Sequence, residues 1–204
     1  MAITYEDTFQ GRPINADKNR KLGCRTDILQ RNKELLDGYL EAHSKCLVTR
    51  FDIASPKDYS EGQFAKAVSD TLTRCSKDLS RQGYDPQHMQ VKEGDMQKGY
   101  HVHAYSLCNG HKIQHPKKVH ECVVKHYSNQ LGYDASHLVH FCNKSEKLED
   151  ATGHYNLRKC DSDYEQQYDE CFHRLSYLAK DRSKGNTGKH FRDFSSSRPK
   201  KKSK

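Results

Sequence analysis

The chain has 204 residues, 33% of them hydrophobic and 30% charged, with a mean hydropathy of −1.07. That length and polarity suit one domain with a core of modest size plus polar end segments, and no stretch approaches the roughly 18 apolar residues of a membrane span, so no membrane partner is expected. The net charge of +8 is local: Lys180–Lys204 carries ten Lys or Arg against two Asp, and the preceding residues sum to zero.

Met1–Arg25 is polar and without period, so an irregular lead-in is expected. It lacks a basic stretch followed by an apolar run, which predicts a cytoplasmic protein whose eight cysteines stay reduced. Asp27 is placed to cap a helix whose apolar stripe, Ile28, Leu29, Leu35, Leu36, Tyr39 and Leu40, ends near Ala42. Cys46–Ile53 reads as a strand with Leu47, Thr49, Phe51 and Ile53 on one face, stopped by Ser55-Pro56. Ser60–Arg81 carries Phe64, Ala67, Val68, Leu72, Cys75 and Leu79 at helical spacing, with Gly83 as the stop.

Gln87–Glu93 and Tyr100–Cys108 read as two strands of a hairpin closed through Gly94–Gly99, and Asn109-Gly110 ends the second. Lys117–Leu131 is the third helix, His137–Cys142 a fourth strand, and Ser162–Lys180 the last helix. The order predicts an α+β fold: an antiparallel sheet with helices on one face, related to the ferredoxin-like arrangement. The expected division is a lead-in and first helix over 1–42, a catalytic domain over 43–182, and a disordered basic tail over 183–204.

Alternation on a strand places His101 and His103 side by side, and the hairpin brings Glu93 next to His101. Two imidazoles and a carboxylate, with positions left for water and phosphate, suit Mg²⁺ or Mn²⁺, and Zn²⁺ also binds such donors. With 13 histidines in the chain, the pair also reads as part of a His-rich surface. A different grouping, Cys108, His111, His115, His120 and Cys122, offers zinc ligands without a repeated Cys-x-x-Cys spacing.

Tyr177 and Lys180, three residues apart, share a helix face with His173 one turn earlier. A phenol with a pKa of about 10 needs nearby positive charge to act as a nucleophile, which Lys180 and an ion would supply. Core packing accounts for an aromatic at this spacing equally well. In the tail, Arg198, Lys200, Lys201, Lys202 and Lys204 are candidates for phosphate-backbone contact, or for simple solubilisation. No Gly-x-x-x-x-Gly-Lys-Ser/Thr motif is present, so unwinding is expected from a host helicase, alongside a host polymerase. No small-molecule cofactor is expected.

Leu47-Val-Thr-Arg-Phe-Asp-Ile53, Gly99-Tyr-His-Val-His-Ala-Tyr105 with Asn109-Gly110, and Ser176-Tyr-Leu-Ala-Lys180 followed by a basic Phe-Ser segment resemble prophage-encoded YagK/YfjJ-type inovirus gene-two proteins over roughly Ala42–Ser197. Through His-hydrophobic-His and Tyr-x-x-Lys the chain is also similar to the HUH endonucleases that initiate rolling-circle replication. The resemblance implies that His101, His103 and Glu93 hold a divalent metal. It makes Tyr177 the nucleophile that forms a 5′-phosphotyrosine with single-stranded origin DNA, and Lys180 its helper. A non-catalytic DNA-binding accessory or regulatory protein of a prophage is the alternative for the same residues.

Overall fold

The computed structural model describes residues 2–95, 99–142, 153–181 and 193–199. The lead-in expected to be irregular carries four two-residue strands, β1 (Ile3–Thr4), β2 (Thr8–Phe9), β3 (Arg12–Pro13) and β4 (Cys24–Arg25), paired as β1 with β4 and β2 with β3. Pairs this short leave no alternation to read in a sequence. Helix α1 (Thr26–Ala42) begins with Arg25, not Asp27, at the capping position. Asp27 sits inside the first turn, where it accepts hydrogen bonds from the Ile28 amide and the Arg25 guanidinium. Its carboxylate there favours the positive end of the helix.

Strand β5 (Lys45–Ala54) leads into α2 (Glu61–Arg81), whose start is set by a reciprocal cap between Ser60 and Gln63. Gly83, at φ +79°, supplies the left-handed residue that turns the chain after it. Strands β6 (Gln87–Asp95) and β7 (Gly99–Asn109) form the expected hairpin, followed by α3 (Lys117–Leu131). A single 3-10 turn, Ser136–Leu138, shortens the fourth expected strand to β8 (Val139–Phe141). Strand β9 (His154–Arg158) was not foreseen in the sequence. The last helix, α4 (Tyr164–Leu175), tightens into a 3-10 turn at Ser176–Ala179, and β10 (Phe194–Ser196) follows.

The main sheet runs β10-β6-β7-β5-β8, with β9 sharing the outer edge of β5, and every pairing is antiparallel. The fold is thus mixed α and β on an antiparallel sheet, but its helices are not confined to one face. Leu47, Phe51, Ile53, Val102, Ala104 and Cys108 pack under α2 and α3. Cys46, Val48, Met89, Val91, Tyr105 and Leu107 pack under α1 and α4. The central strands are apolar on both sides, so each face gains burial worth about 1.5–3 kcal/mol per large side chain and attracts its own layer. Attention to the Leu47–Ile53 face alone misses Cys46 and Val48.

Part of the tail expected to be disordered is also structured. Strand β10 extends the sheet from β6, the Lys92 amide donates to the Asp193 carbonyl at 2.8 Å, and Asp193 pairs with the buried Arg25 at 2.6 Å. Phe194 supplies the apolar anchor for this edge by packing against the α1/α4 core. No helix among the described residues is long and apolar enough to cross a membrane.

Candidate metal centre and tyrosine

Alternation along β7 puts His101 and His103 on the α1/α4 side of the sheet. The antiparallel register sets Glu93 on β6 opposite His101, and Asp52 on β5 opposite His103. Glu93 Oε2 lies 3.2 Å from His101 Nε2 and 3.3 Å from His103 Nε2, and the three ligand atoms fall within 4.8 Å of one another. Adjacent ligands on an ion at about 2.1 Å stand about 3 Å apart, so two imidazole nitrogens and one hard oxygen at these separations fit a divalent cation. Glu93 and His103 are nearly closed to solvent, at 4% and 6% exposed, while His101 is half-buried at the open side.

The other nitrogen of His103 is held as well: Nδ1 lies 2.6 Å from Asp52 Oδ1. An Nδ1–H donated to this carboxylate fixes the ring and leaves Nε2 to face Glu93 and any ion. Burial would lower the His103 pKa, but Asp52 and Glu93 outweigh it and the pKa is raised. Burial pushes the Asp52 carboxyl up, yet His103 and Arg50 together bring it below the usual carboxylate range.

Tyr177 enters from the 3-10 turn after α4. Its ring meets His103 edge-on, with centroids 5.2 Å apart. The Arg50 guanidinium lies 4.4 Å from the Tyr177 ring centre and Lys180 Nζ 4.5 Å, so two cations flank the phenol. Burial is the main cause raising the Tyr177 pKa, with the Glu93 carboxylate next, and Arg50 opposes them. Burial lowers the Lys180 amine, and Arg50 adds to that against Cys24.

The turn that carries Tyr177 is pinned by the N-terminal quarter of the chain. Asn15 N donates to Ser176 Oγ at 2.7 Å, Asn32 Nδ2 to the Leu175 carbonyl at 3.2 Å, and Asp181 N to the Gly23 carbonyl at 2.9 Å. Cys24 bridges Lys180 through the backbone. Beside the tyrosine opens a groove of about 820 Å³, lined in part by Arg50, Tyr155, His173, Arg174 and Tyr177.

The five core candidates of the sequence reading, Glu93, His101, His103, Tyr177 and Lys180, therefore share one site. Arg198 does not join them: its carbonyl accepts from Gln87, six residues along β6 from Glu93 and so about 20 Å away at strand spacing. Lys200, Lys201, Lys202 and Lys204 lie outside the described residues. Nor do the alternative zinc ligands converge. His111 contacts Ser44, His120 stacks on Phe141, Cys108 packs on Ser106, and Cys122 lies against the Cys75 carbonyl.

Sequence reasoning missed Arg50, Asp52 and Arg174. The readable signal for the first two was a pair of charges two apart, hence on one face of a strand otherwise made of β-formers.

No curated protein and no solved structure matches this chain. The YagK/YfjJ C-terminal domain, a prophage-associated family, matches residues 4–197. With nearly its whole length covered by that match, the chain belongs to the YagK/YfjJ C-terminal domain family.

Proposed function

We propose that this protein is a metal-dependent single-stranded DNA nickase and strand transferase that initiates rolling-circle replication of a phage or mobile element. The observation that carries this reading is the Tyr177 ring packed against His103 of the Glu93, His101 and His103 cluster. A phenol in the core would need none of these neighbours.

In the proposed reaction the Tyr177 oxygen attacks a backbone phosphorus. An O–P bond to tyrosine forms, the bond from phosphorus to the 3′-oxygen breaks, and that oxygen leaves as a hydroxyl after taking a proton from water. The phenol proton goes to solvent. A divalent cation held by Glu93, His101 and His103 would polarise the scissile phosphate and offset the charge that develops on it. Arg50 and Lys180 favour the phenolate over the phenol by proximity, and Asp52 keeps His103 oriented with Nε2 inward. Glu93 is one cause of the raised Tyr177 pKa, so neutralising that carboxylate makes the phenol easier to ionise. Arg50 and Arg174 line the groove beside Tyr177 and suit the phosphates of a single strand passing through it.

The test is incubation with Mn²⁺ and single-stranded oligonucleotides spanning the element's origin. The expected product is a protein–DNA adduct that survives denaturation, lost in Tyr177→Phe while DNA binding persists. Binding without cleavage by any origin strand, or an adduct that survives Tyr177→Phe, would overturn the reading and leave the non-catalytic alternative.

A further inference from the structure

On the opposite side of the sheet, α2 and α3 bring together a second set of ligand-type side chains. Cys122 and His126 are four apart on α3, and Cys75 and Asp78 three apart on α2, so each pair presents one helix face. His126 Nε2 lies 2.8 Å from Asp78 Oδ2, and the ligand atoms of Asp78, Cys122 and His126 all lie within 4.8 Å of one another. Cys75 and Cys122 are both buried free cysteines, with the Cys122 sulfur 3.7 Å from the Cys75 carbonyl; the Cys75 sulfur is not among the ligand atoms that lie within 4.8 Å of one another.

An ion pair between helices explains Asp78 and His126 alone. It does not explain two thiols at the same crossing. Arg81 pairs with Asp78 Oδ1 at 3.0 Å, which leaves Oδ2 as the oxygen turned toward the cluster, where Lys125 also approaches at 3.4 Å. Ligands on a tetrahedral zinc stand about 3.4–3.8 Å apart, so the His126–Asp78 contact would open by about 0.6 Å to admit an ion, within reach of a side-chain adjustment. One imidazole, one carboxylate and a thiolate meet the charge of a divalent cation, and the Cys75 sulfur, brought inward by a change of rotamer, would complete four-coordination.

We infer that Asp78, Cys122 and His126, with Cys75 as the fourth ligand, form a structural site for a thiolate-preferring divalent cation of the Zn²⁺ type, which clamps α2 to α3. The site is independent of the cluster beside Tyr177. Sulfur donors separate it from that cluster, whose nitrogen and oxygen donors suit harder ions. Binding releases the Cys122 proton to solvent as the sulfur–metal bond forms.

The test uses the full chain, purified under reducing conditions, with Glu93, His101 and His103 all changed to Ala so that only the second site remains. Zn²⁺ should bind at about one equivalent, and Co²⁺ should give the near-ultraviolet sulfur-to-metal charge-transfer absorption of a thiolate complex. Cys122→Ser and Cys75→Ser should each reduce that absorption and the double change should abolish it, while His126→Gln should weaken binding at least tenfold. Asp78→Asn, at the more exposed member of the cluster, should likewise weaken Zn²⁺ binding and keeps the test usable where Cys122→Ser fails to fold. No metal bound to the triple variant, cobalt bound without sulfur absorption, or a Cys75–Cys122 disulfide that forms and persists in the presence of zinc would each overturn the inference.

Discussion

Asp52 offers the sharpest test of how the first site works, because it is not one of the three proposed metal ligands and its short contact, at 2.6 Å, is with His103. Asp52→Asn keeps a carbonyl oxygen that can accept from Nδ1 and removes the charge. A hydrogen bond to a charged group contributes about 1.5–3 kcal/mol and a neutral one about 0.5–1.5, so the expected loss is about 1–1.5 kcal/mol, or roughly tenfold in Mn²⁺ affinity. Asp52→Ala also removes the bond that fixes the tautomer, and about hundredfold is expected, the upper end for groups that orient a ligand. Calorimetric titration of Mn²⁺ at pH 8 and pH 6 checks both. The sign with pH follows from His103: its raised pKa means that a proton competes for Nε2 as pH falls through that raised value. Removing the Asp52 charge lowers that pKa and relieves the competition, so the ratio of wild-type to Asp52→Asn affinity must shrink from pH 8 to pH 6. Equal affinities at pH 8, or a ratio that grows at pH 6, would mean that Asp52 does not hold His103 for coordination.

Arg50→Gln should reduce the cleavage rate on the order of 10²-fold, as expected for loss of a preorganised charge beside a phosphate, while Mn²⁺ affinity measured by titration changes less than about threefold. A comparable loss of both would make Arg50 a support for Asp52, 3.9 Å away, instead of a substrate contact. Truncation after Pro199 removes Lys200, Lys201, Lys202 and Lys204. If all four meet phosphates, the slope of log affinity for single-stranded DNA against log salt should shrink by about 2.8, and fluorescence anisotropy across a salt series reads it directly. An unchanged slope would assign the tail to solubility.

Glu93, His101 and His103 were legible because their proximity is local. A hairpin with a short Gly-bounded turn leaves few registers, and the strand period then fixes which residues face each other. Tyr177 was legible as a residue but not as a position: a helix carried through to Lys180 would aim it differently from the 3-10 turn observed at Ser176–Ala179. What selects that turn lies far away in the chain. Ser176 takes a hydrogen bond from Asn15, Leu175 from Asn32, and the backbone at Lys180 and Asp181 meets Cys24 and Gly23. None of these contacts has a period, and residues 1–42 read alone suggest only a polar lead-in to a helix. Yet the same segment buries Ile28, Leu35, Leu36 and Tyr39 against the sheet face that bears the histidines. The expected boundary at residue 42 therefore falls where the contacts that aim Tyr177 cross from one side to the other. Ser176→Ala, which removes the oxygen that accepts from the Asn15 amide and leaves the metal-ligand set on β6 and β7 untouched, should lower strand transfer while Mn²⁺ affinity stays unchanged.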